Sequence, residues 1–467
     1  MKLFKSIAVA LAALLSVPVA THAAAPTSVT HPDWSRNAVI YEVNTRQYTP
    51  QGTFNAFAKE LPRLKNLGVD ILWFMPIHPI SQKNRKGTLG SYYAVADYKG
   101  VNPEFGTTAD FKALVDKAHA LGMKVIIDWV PNHTGCDNPW VEQHPEYYAR
   151  NDKGEMFGPY DWTDVYKLDY SNPATREAMT DALAYWLRDI GIDGFRCDVA
   201  FEVPVDYWNE ARNALQLINP DLFMLAEASF APLNEKAFDM SYNWPMKDLF
   251  SQIAATKGEY SFIAEGATEP KTFDPAVAAD IPALVKAQNE EFPAGTILMN
   301  MITNHDLNSW EGTEFQRLGK FVEPFAVLTY TLPGMPLMYT GQEVGLNRAF
   351  EFFEKDTAPD FTPNNFTAFY KQLNALKHNR TELAAGPTGA PMTVFATENP
   401  DLLVFERRIG DRATIVGVNL SEKPAEVKFT GDAPVLSKNL LNPMTGAAVQ
   451  ALPTTLLPGG YFLFTEN

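Results

Sequence analysis

Between residues 38 and 380 a short apolar run is followed by a helix-periodic segment, eight times over. "AVIYEVN" precedes "FNAFAKELPRLKNLG", and "VDILWFMPI" precedes "DFKALVDKAHALG". "KVIIDWV" leads, after a long loop, to "NPATREAMTDALAYWLRDIG", and "GFRCDVA" leads to "PVDYWNEARNALQLINP". "LFMLAEA", "FDMSYNW", "ILMNMITNHD" and "MPLMYTGQE" supply four further strands, each expected to be followed by a helix. Near-continuous apolar strands mean burial on both faces, which is the signature of a parallel sheet covered by helices. Gly68, Gly122, Gly191 and Pro220 stand where those helices should stop. A doubly wound open sheet would also satisfy the alternation. Eight regular units favour a closed (β/α)8 barrel.

The barrel is placed at residues 33–384. It contains an excursion at 131–171 that is too long for an ordinary strand-to-helix link and is rich in aromatic and turn residues. At 385–467 the pattern changes to short alternating strands, from "MTVFAT" to "GGYFLFTE", and predicts an antiparallel β-sandwich. Residues 1–25 read as a secretory signal peptide: Lys2 and Lys5 precede the apolar run "IAVALAALLSVPVA", and "THAAAPTS" supplies small residues for cleavage. That run is too short to span a bilayer, and no other stretch is long and apolar enough. The expected location is therefore periplasmic or extracellular. The formal net charge of −16 argues against nucleic acid and anionic lipid as partners and leaves a neutral substrate easier to accommodate. A monomer is expected. The two cysteines, Cys136 and Cys197, could pair in an oxidising compartment. Against pairing, Cys197 alternates away from the strand face that carries Asp198.

In "GFRCDVA" Arg196 and Asp198 share one face of a core strand, because strand side chains alternate. Other strands also end in polar groups: Asp128 followed by Asn132 and His133, Glu227 in "LAEA", and His305 and Asp306 in "TNHD". One such residue alone reads as a helix cap, a loop ion pair or a satisfied histidine. Three carboxylates (Asp198, Glu227 and Asp306) at the C-terminal ends of strands of one barrel should converge on one pocket. Desolvating them beside an arginine is costly without a task. Glycoside hydrolysis is a task that fits, since it needs an ionised carboxylate and a protonated carboxylic acid. Arg196 is expected to keep Asp198 ionised by charge pairing. Glu227, with no basic neighbour in sequence, is expected to be protonated through desolvation and nearby carboxylates.

Four ordered motifs, "DWVPNH" (128–133), "GFRCDVA" (194–200), "LAEA" (225–228) and "TNHD" (303–306), together resemble the α-amylase superfamily of glycoside hydrolases, family 13. "GSYYAVADYKGVNPEFGT" (90–107) and "LPGMPLMYTGQE" (332–343) add to the likeness, which extends over about residues 33–467. The resemblance implies a TIM barrel, a short domain B after the third strand and a C-terminal β-sandwich. It implies Asp198 as nucleophile, Glu227 as general acid and then base, and Asp306 as the carboxylate that binds sugar hydroxyls. It further implies Arg196 beside the nucleophile, His133 and His305 hydrogen-bonding the central sugar, Tyr93 stacking on it, and Asp128 organising the pocket floor. No cofactor is required. Many relatives bind a structural calcium between domain B and the barrel, and Asn132 matches one ligand. Glu202 stands where a histidine is usual and Lys167 replaces an aspartate, so calcium is not favoured and no metal residue is assigned. The expected activity is endo-acting, retaining hydrolysis of α-1,4 bonds in starch or maltooligosaccharides. The alternatives are a maltodextrin transglycosylase or exo-acting α-glucosidase on the same site. Outside enzymes, the alternative is a catalytically dead glucan-binding or transport-associated homologue, against which all three carboxylates stand.

Overall fold

The computed structural model describes residues 29–436 and 439–466. The segment read as a signal peptide lies outside them. Eight parallel strands close into a barrel: β1 (Ile40–Val43), β2 (Ile71–Phe74), β3 (Lys124–Trp129), β4 (Gly194–Cys197), β5 (Phe223–Ala226), β6 (Met240–Tyr242), β7 (Ile297–Asn300) and β8 (Met335–Tyr339). Each strand pairs with its successor, and β1 closes the ring on β8 with Ile40 opposite Leu337. All eight coincide with the apolar runs of the sequence.

Alternation sorts the side chains. Ile40, Ile71, Ile126, Leu225, Met240, Met299 and Leu337 fill the barrel interior. Their neighbours Tyr41, Leu72, Ile127, Phe195 and Met338 pack outward against the helices. Continuing the inward alternation toward the C-terminal ends gives Glu42 on β1, Asp128 on β3, and Arg196 and then Asp198 on β4. On β5 it gives Glu227. The sequence thus switches from apolar to charged at the top layer of one interior. Register reinforces this, since Asp128 lies directly opposite Arg196. Gly194 is required by close approach: a Cβ there would lie 1.8 Å from the Phe223 carbonyl oxygen.

The helices differ from expectation in three places. The helix expected over 54–68 is two pieces, Phe54–Phe57 and Leu61–Leu67, and Pro62 starts the second. No α-helix follows β5; its link to β6 holds only the 3-10 turn Ala231–Asn234. That link carries Pro232 and is close to the minimum length for a crossover, leaving no room for several turns. Conversely, two helices, Trp244–Thr256 and Asp280–Glu291, lie between β6 and β7.

The excursion after β3 contains an antiparallel pair, His133–Gly135 with Val165–Lys167, and forms one wall above the barrel mouth. The C-terminal region is a four-stranded antiparallel sheet of 392–395, 402–409, 412–419 and 461–466, plus a two-residue pair, 425–426 with 455–456. The predicted sandwich is therefore reduced: its second layer is mostly coil. Leu440 and Leu452 pack from coil onto Val404, Ile415 and Phe464, so burial is achieved without a second full sheet. Cys136 and Cys197 are both buried free thiols. No helix among the described residues is long and apolar enough to cross a membrane.

Candidate active site

The C-terminal barrel ends open into a cleft of about 920 Å³. Six of the eight sequence-predicted residues line it: Tyr93, His133, Asp198, Glu227, His305 and Asp306. The other two, Asp128 and Arg196, lie just beneath, both fully buried.

Arg196 is the hub. Its Nη1 donates to Asp128 Oδ1 at 2.9 Å and to Asp198 Oδ1 at 3.0 Å, and its Nε donates to the Tyr242 hydroxyl at 3.1 Å. Its Nη2 lies 2.9 Å from Glu227 Oε2. The angle there misses hydrogen-bond geometry, so this contact is an ion pair without directional character. Arg196 therefore contacts more than the Asp198 expected of it, and Glu227, which has no basic neighbour in sequence, has one in the fold. Sequence distance hid the pairing, because the two residues sit on adjacent strands. Three carboxylates share one guanidinium, and burial is incompletely compensated. Burial, together with Glu227, pushes Asp198 well above the usual carboxylate range, while Arg196 opposes the rise. Burial likewise raises Asp128 to about 6, against the pull of Arg196 and His305. The expectation that charge pairing with Arg196 keeps Asp198 ionised thus meets an opposing effect, since burial and the neighbouring carboxylates favour its protonated form.

A second chain of contacts starts on β1. Glu42 Oε1 lies 2.5 Å from His305 Nδ1, and His305 Nε2 lies 2.7 Å from the Tyr93 hydroxyl and 3.2 Å from Asp306 Oδ1. Tyr93 Oη in turn donates to Asp128 Oδ2 at 3.1 Å, which also accepts from Trp73 Nε1 at 3.2 Å. Burial alone would lower the His305 pKa, but Asp306 and Glu42 flank it and raise it well above the ordinary histidine value. Burial would raise Asp306, but the His305 imidazolium holds it down to about 2. His133 differs: burial without an acidic partner lowers it to about 3, so it is neutral and can both donate and accept. The Tyr93 ring lies nearly parallel to His305, with centroids 5.5 Å apart, and to Phe352 at 6.5 Å.

Sequence reasoning missed Glu42, Trp73 and Tyr242 on the floor and Trp162, Trp310 and Phe352 on the walls. Glu42 carried the same signal as Arg196, a charged residue inside an apolar strand. Trp162 and Phe352 sit in turns and Trp310 in the short π-helical stretch Leu307–Glu311, so none carries a periodic signal.

A divalent cation between domain B and the barrel would have to contend with Lys167 and Glu202. These pair with each other, Lys167 Nζ at 2.8 Å from Glu202 Oε2, and Glu202 Oε1 accepts from the Tyr160 hydroxyl at 2.6 Å. An ammonium group already neutralises the carboxylate, so these residues do not fit a calcium ion.

The profile described as "Alpha amylase, catalytic domain" matches residues 36–166 and 148–383. "Alpha-amylase MalA" of Haloarcula japonica is 25% identical over 411 residues, covering 85% of this chain and 57% of the relative. "Neopullulanase 2" of Thermoactinomyces vulgaris is 27% identical, covering 84% of this chain and 71% of the relative. This chain thus spans little more than half the length of the archaeal relative. Among solved structures, an α-amylase from Lactobacillus plantarum superposes with a TM-score of 0.79 at 29% identity, over 93% of this chain and 100% of that one. A maltogenic α-amylase, AmyB, from Thermotoga neapolitana gives 0.78 at 26% identity, over 92% and 98%. With a closed barrel, the carboxylates gathered at its mouth and a family match over most of the chain, this protein belongs to the α-amylase family of glycoside hydrolases.

Proposed function

We propose that the protein hydrolyses α-1,4-glucosidic bonds in starch or maltooligosaccharides with retention of anomeric configuration. One observation carries this reading: Asp198 and Glu227 meet two nitrogens of the same buried guanidinium, so both face one sugar-sized space. Two carboxyl groups that close suit a covalent mechanism better than the wide separation that admits a water between them. Asp198 attacks the anomeric carbon as Glu227 gives its proton to the departing glycosidic oxygen. Glu227 then takes a proton from water, whose oxygen displaces Asp198. The cycle needs Asp198 ionised and Glu227 protonated at the moment of attack. Asp306 and the His305 imidazolium take sugar hydroxyls, and neutral His133 serves the same sugar from the opposite wall.

Digestion of maltoheptaose with anomer-resolved detection tests this directly: α-configured products are expected, and β-products would overturn it. Glu227→Gln should lower kcat at least about a thousandfold on maltoheptaose, yet far less on a dinitrophenyl glycoside whose leaving group needs no proton. Equal losses on both would remove Glu227 as the acid.

Transglycosylation is the second reading, favoured by Phe201, 50% exposed, which lines the cleft together with Trp244 near Glu227 and offers an apolar platform to an acceptor sugar. Products longer than the substrate from maltose would establish it. The basic and apolar leader at residues 1–25 supports an exported enzyme, and the N-terminus of the mature protein, read by mass spectrometry, tests that point.

A further inference from the structure

The long β2 loop reaches the cleft at Lys86, and the two edges of its segment 82–90 are tied to different walls. On one edge, the Gln82 and Lys83 amides donate to Asp137 Oδ2 at 2.8 and 3.0 Å, and Asn84 Nδ2 donates to the Thr163 carbonyl at 3.1 Å. Lys86 Nζ lies 3.4 Å from Asp164 Oδ1. All these partners belong to the excursion after β3. On the other edge, the Thr88 amide donates to Glu354 Oε1 at 2.7 Å and the Leu89 amide to the Phe353 carbonyl at 2.9 Å. Buried Arg46 fastens that seam, reaching the Leu89, Gly90 and Phe352 carbonyls at 3.2, 3.1 and 3.1 Å. Gly87, at φ +62°, packs so closely on Phe353 that a Cβ would lie 2.4 Å from its Cβ. Within the segment, Arg85 braces the Ser81 and Ile80 carbonyls at 3.0 Å each.

The loops after β2, β3 and β8 are thus joined into one continuous wall, and Lys86, Asp164 and Phe353 all line the cleft. Ser91 and Tyr93 follow directly in the chain, and Tyr93 bonds Asp128 and His305, the groups assigned to the sugar that stays on the enzyme. Phe201, Glu227 and Trp244, which follow β4, β5 and β6 in turn, occupy the opposite arc, where the leaving group departs.

The geometry points to residues 82–90 as a bar across the glycone end of the cleft that limits how many sugar units fit before the scissile bond. The bar selects chain ends and short maltooligosaccharides over the interior of starch. This departs from the endo-acting expectation, and it rests on the hydrolase reading above. Braced at both edges, the segment presents a fixed stop; a mobile lid would need few such bonds.

The test compares maltoheptaose with free and with 4,6-O-ethylidene-capped non-reducing ends, using the full-length protein. The wild type should cleave the free substrate at least about tenfold faster in kcat/KM than the capped one, and should lower starch viscosity little per new reducing end. A variant with residues 82–89 shortened to a glycine-serine link should erase that discrimination, and the milder pair Lys86→Met with Asp164→Asn, which removes one of several ties, should narrow it. Equal cleavage of capped and free substrate by the wild type would overturn the bar while leaving α-glucan hydrolysis intact. No cleavage of either substrate would overturn the hydrolase reading itself. Should the shortened variant fail to fold, the wild-type comparison still decides.

Discussion

Val199 stands at φ +35°, in the left-handed region that a β-branched residue rarely adopts. The conformation turns its amide toward Glu227, and the N–H donates to Oε2 at 2.8 Å. Strain of this kind costs about 1–3 kcal/mol, whereas glycine would bring an unfolded-state entropy cost of about 0.5–1 kcal/mol. Val199→Gly should therefore be more stable by about 1 kcal/mol and raise the melting temperature. It should also lose activity, because Glu227 is less firmly positioned. A melting temperature at or below that of the wild type would show the strain to be negligible. Glu42 gives a pH-dependent counterpart. It raises the His305 pKa in the folded state, so the stabilisation of the imidazolium is complete below the unfolded histidine value. That stabilisation is lost as pH rises through the higher folded value. Glu42→Gln removes one of the flanking charges, so the alkaline loss of both stability and kcat/KM should move to lower pH. An unmoved alkaline limb would exclude His305 as its origin. Neither residue stood out in sequence. Arg196 did, because an arginine beside an aspartate in "GFRCDVA" has no ordinary core role. Glu42 was equally anomalous, but no second charge on its own strand flagged it, and its partner lies 263 positions away. Val199 could not be read at all, since backbone strain leaves no trace in residue type.

The eight strands were legible because each must be apolar on both faces, a requirement that the chain spells out locally. The connections were legible only where they were long. The nine residues between "LAEA" and "FDMSYNW" were assigned a helix by analogy with the other units, yet a proline and short length allow only a 3-10 turn. The strands of domain B run only three residues each, too short to show alternation, so the wall was foreseen and its internal structure was not. The Lys167–Glu202 pair belongs to this scale, since it ties domain B to the loop after β4. Both side chains are about a quarter exposed, so Glu202→Gln should cost about 0.5–1 kcal/mol. The same pair predicts that melting curves in calcium and in chelator coincide. A sharp rise with calcium, abolished in Asn132→Ala, would show that a cation displaces the ammonium.

Barrel and C-terminal sheet act as one body through buried guanidinium groups. Arg407, 1% exposed, donates to the Thr331 carbonyl at 3.0 Å and to the Ala390 carbonyl. Arg380 donates to the Ala413 carbonyl at 2.8 Å and to the Glu466 carbonyl. Removing such a donor leaves buried carbonyls unpaired, at about 1–3 kcal/mol each. Calorimetry should show one cooperative transition for the whole chain, moved to lower temperature in Arg407→Met. Two separate transitions in the wild type would show the sheet to be an independent passenger. The alternating strands made this region recognisable as β in the sequence. The reduction of its second layer was not, because Leu440 and Leu452 fill the core as well from coil as from a strand.

The ring closes between its first strand and its last, and Glu42 of the first strand carries the histidine of the seventh. A ribosome-bound chain that has emerged only as far as Asp306 already possesses nucleophile, acid and third carboxylate, but it lacks β8 and so cannot close the ring between β1 and β7. Catalytic competence must therefore appear late in biosynthesis and all at once, as the final barrel strand docks, with no partially active fragment preceding it.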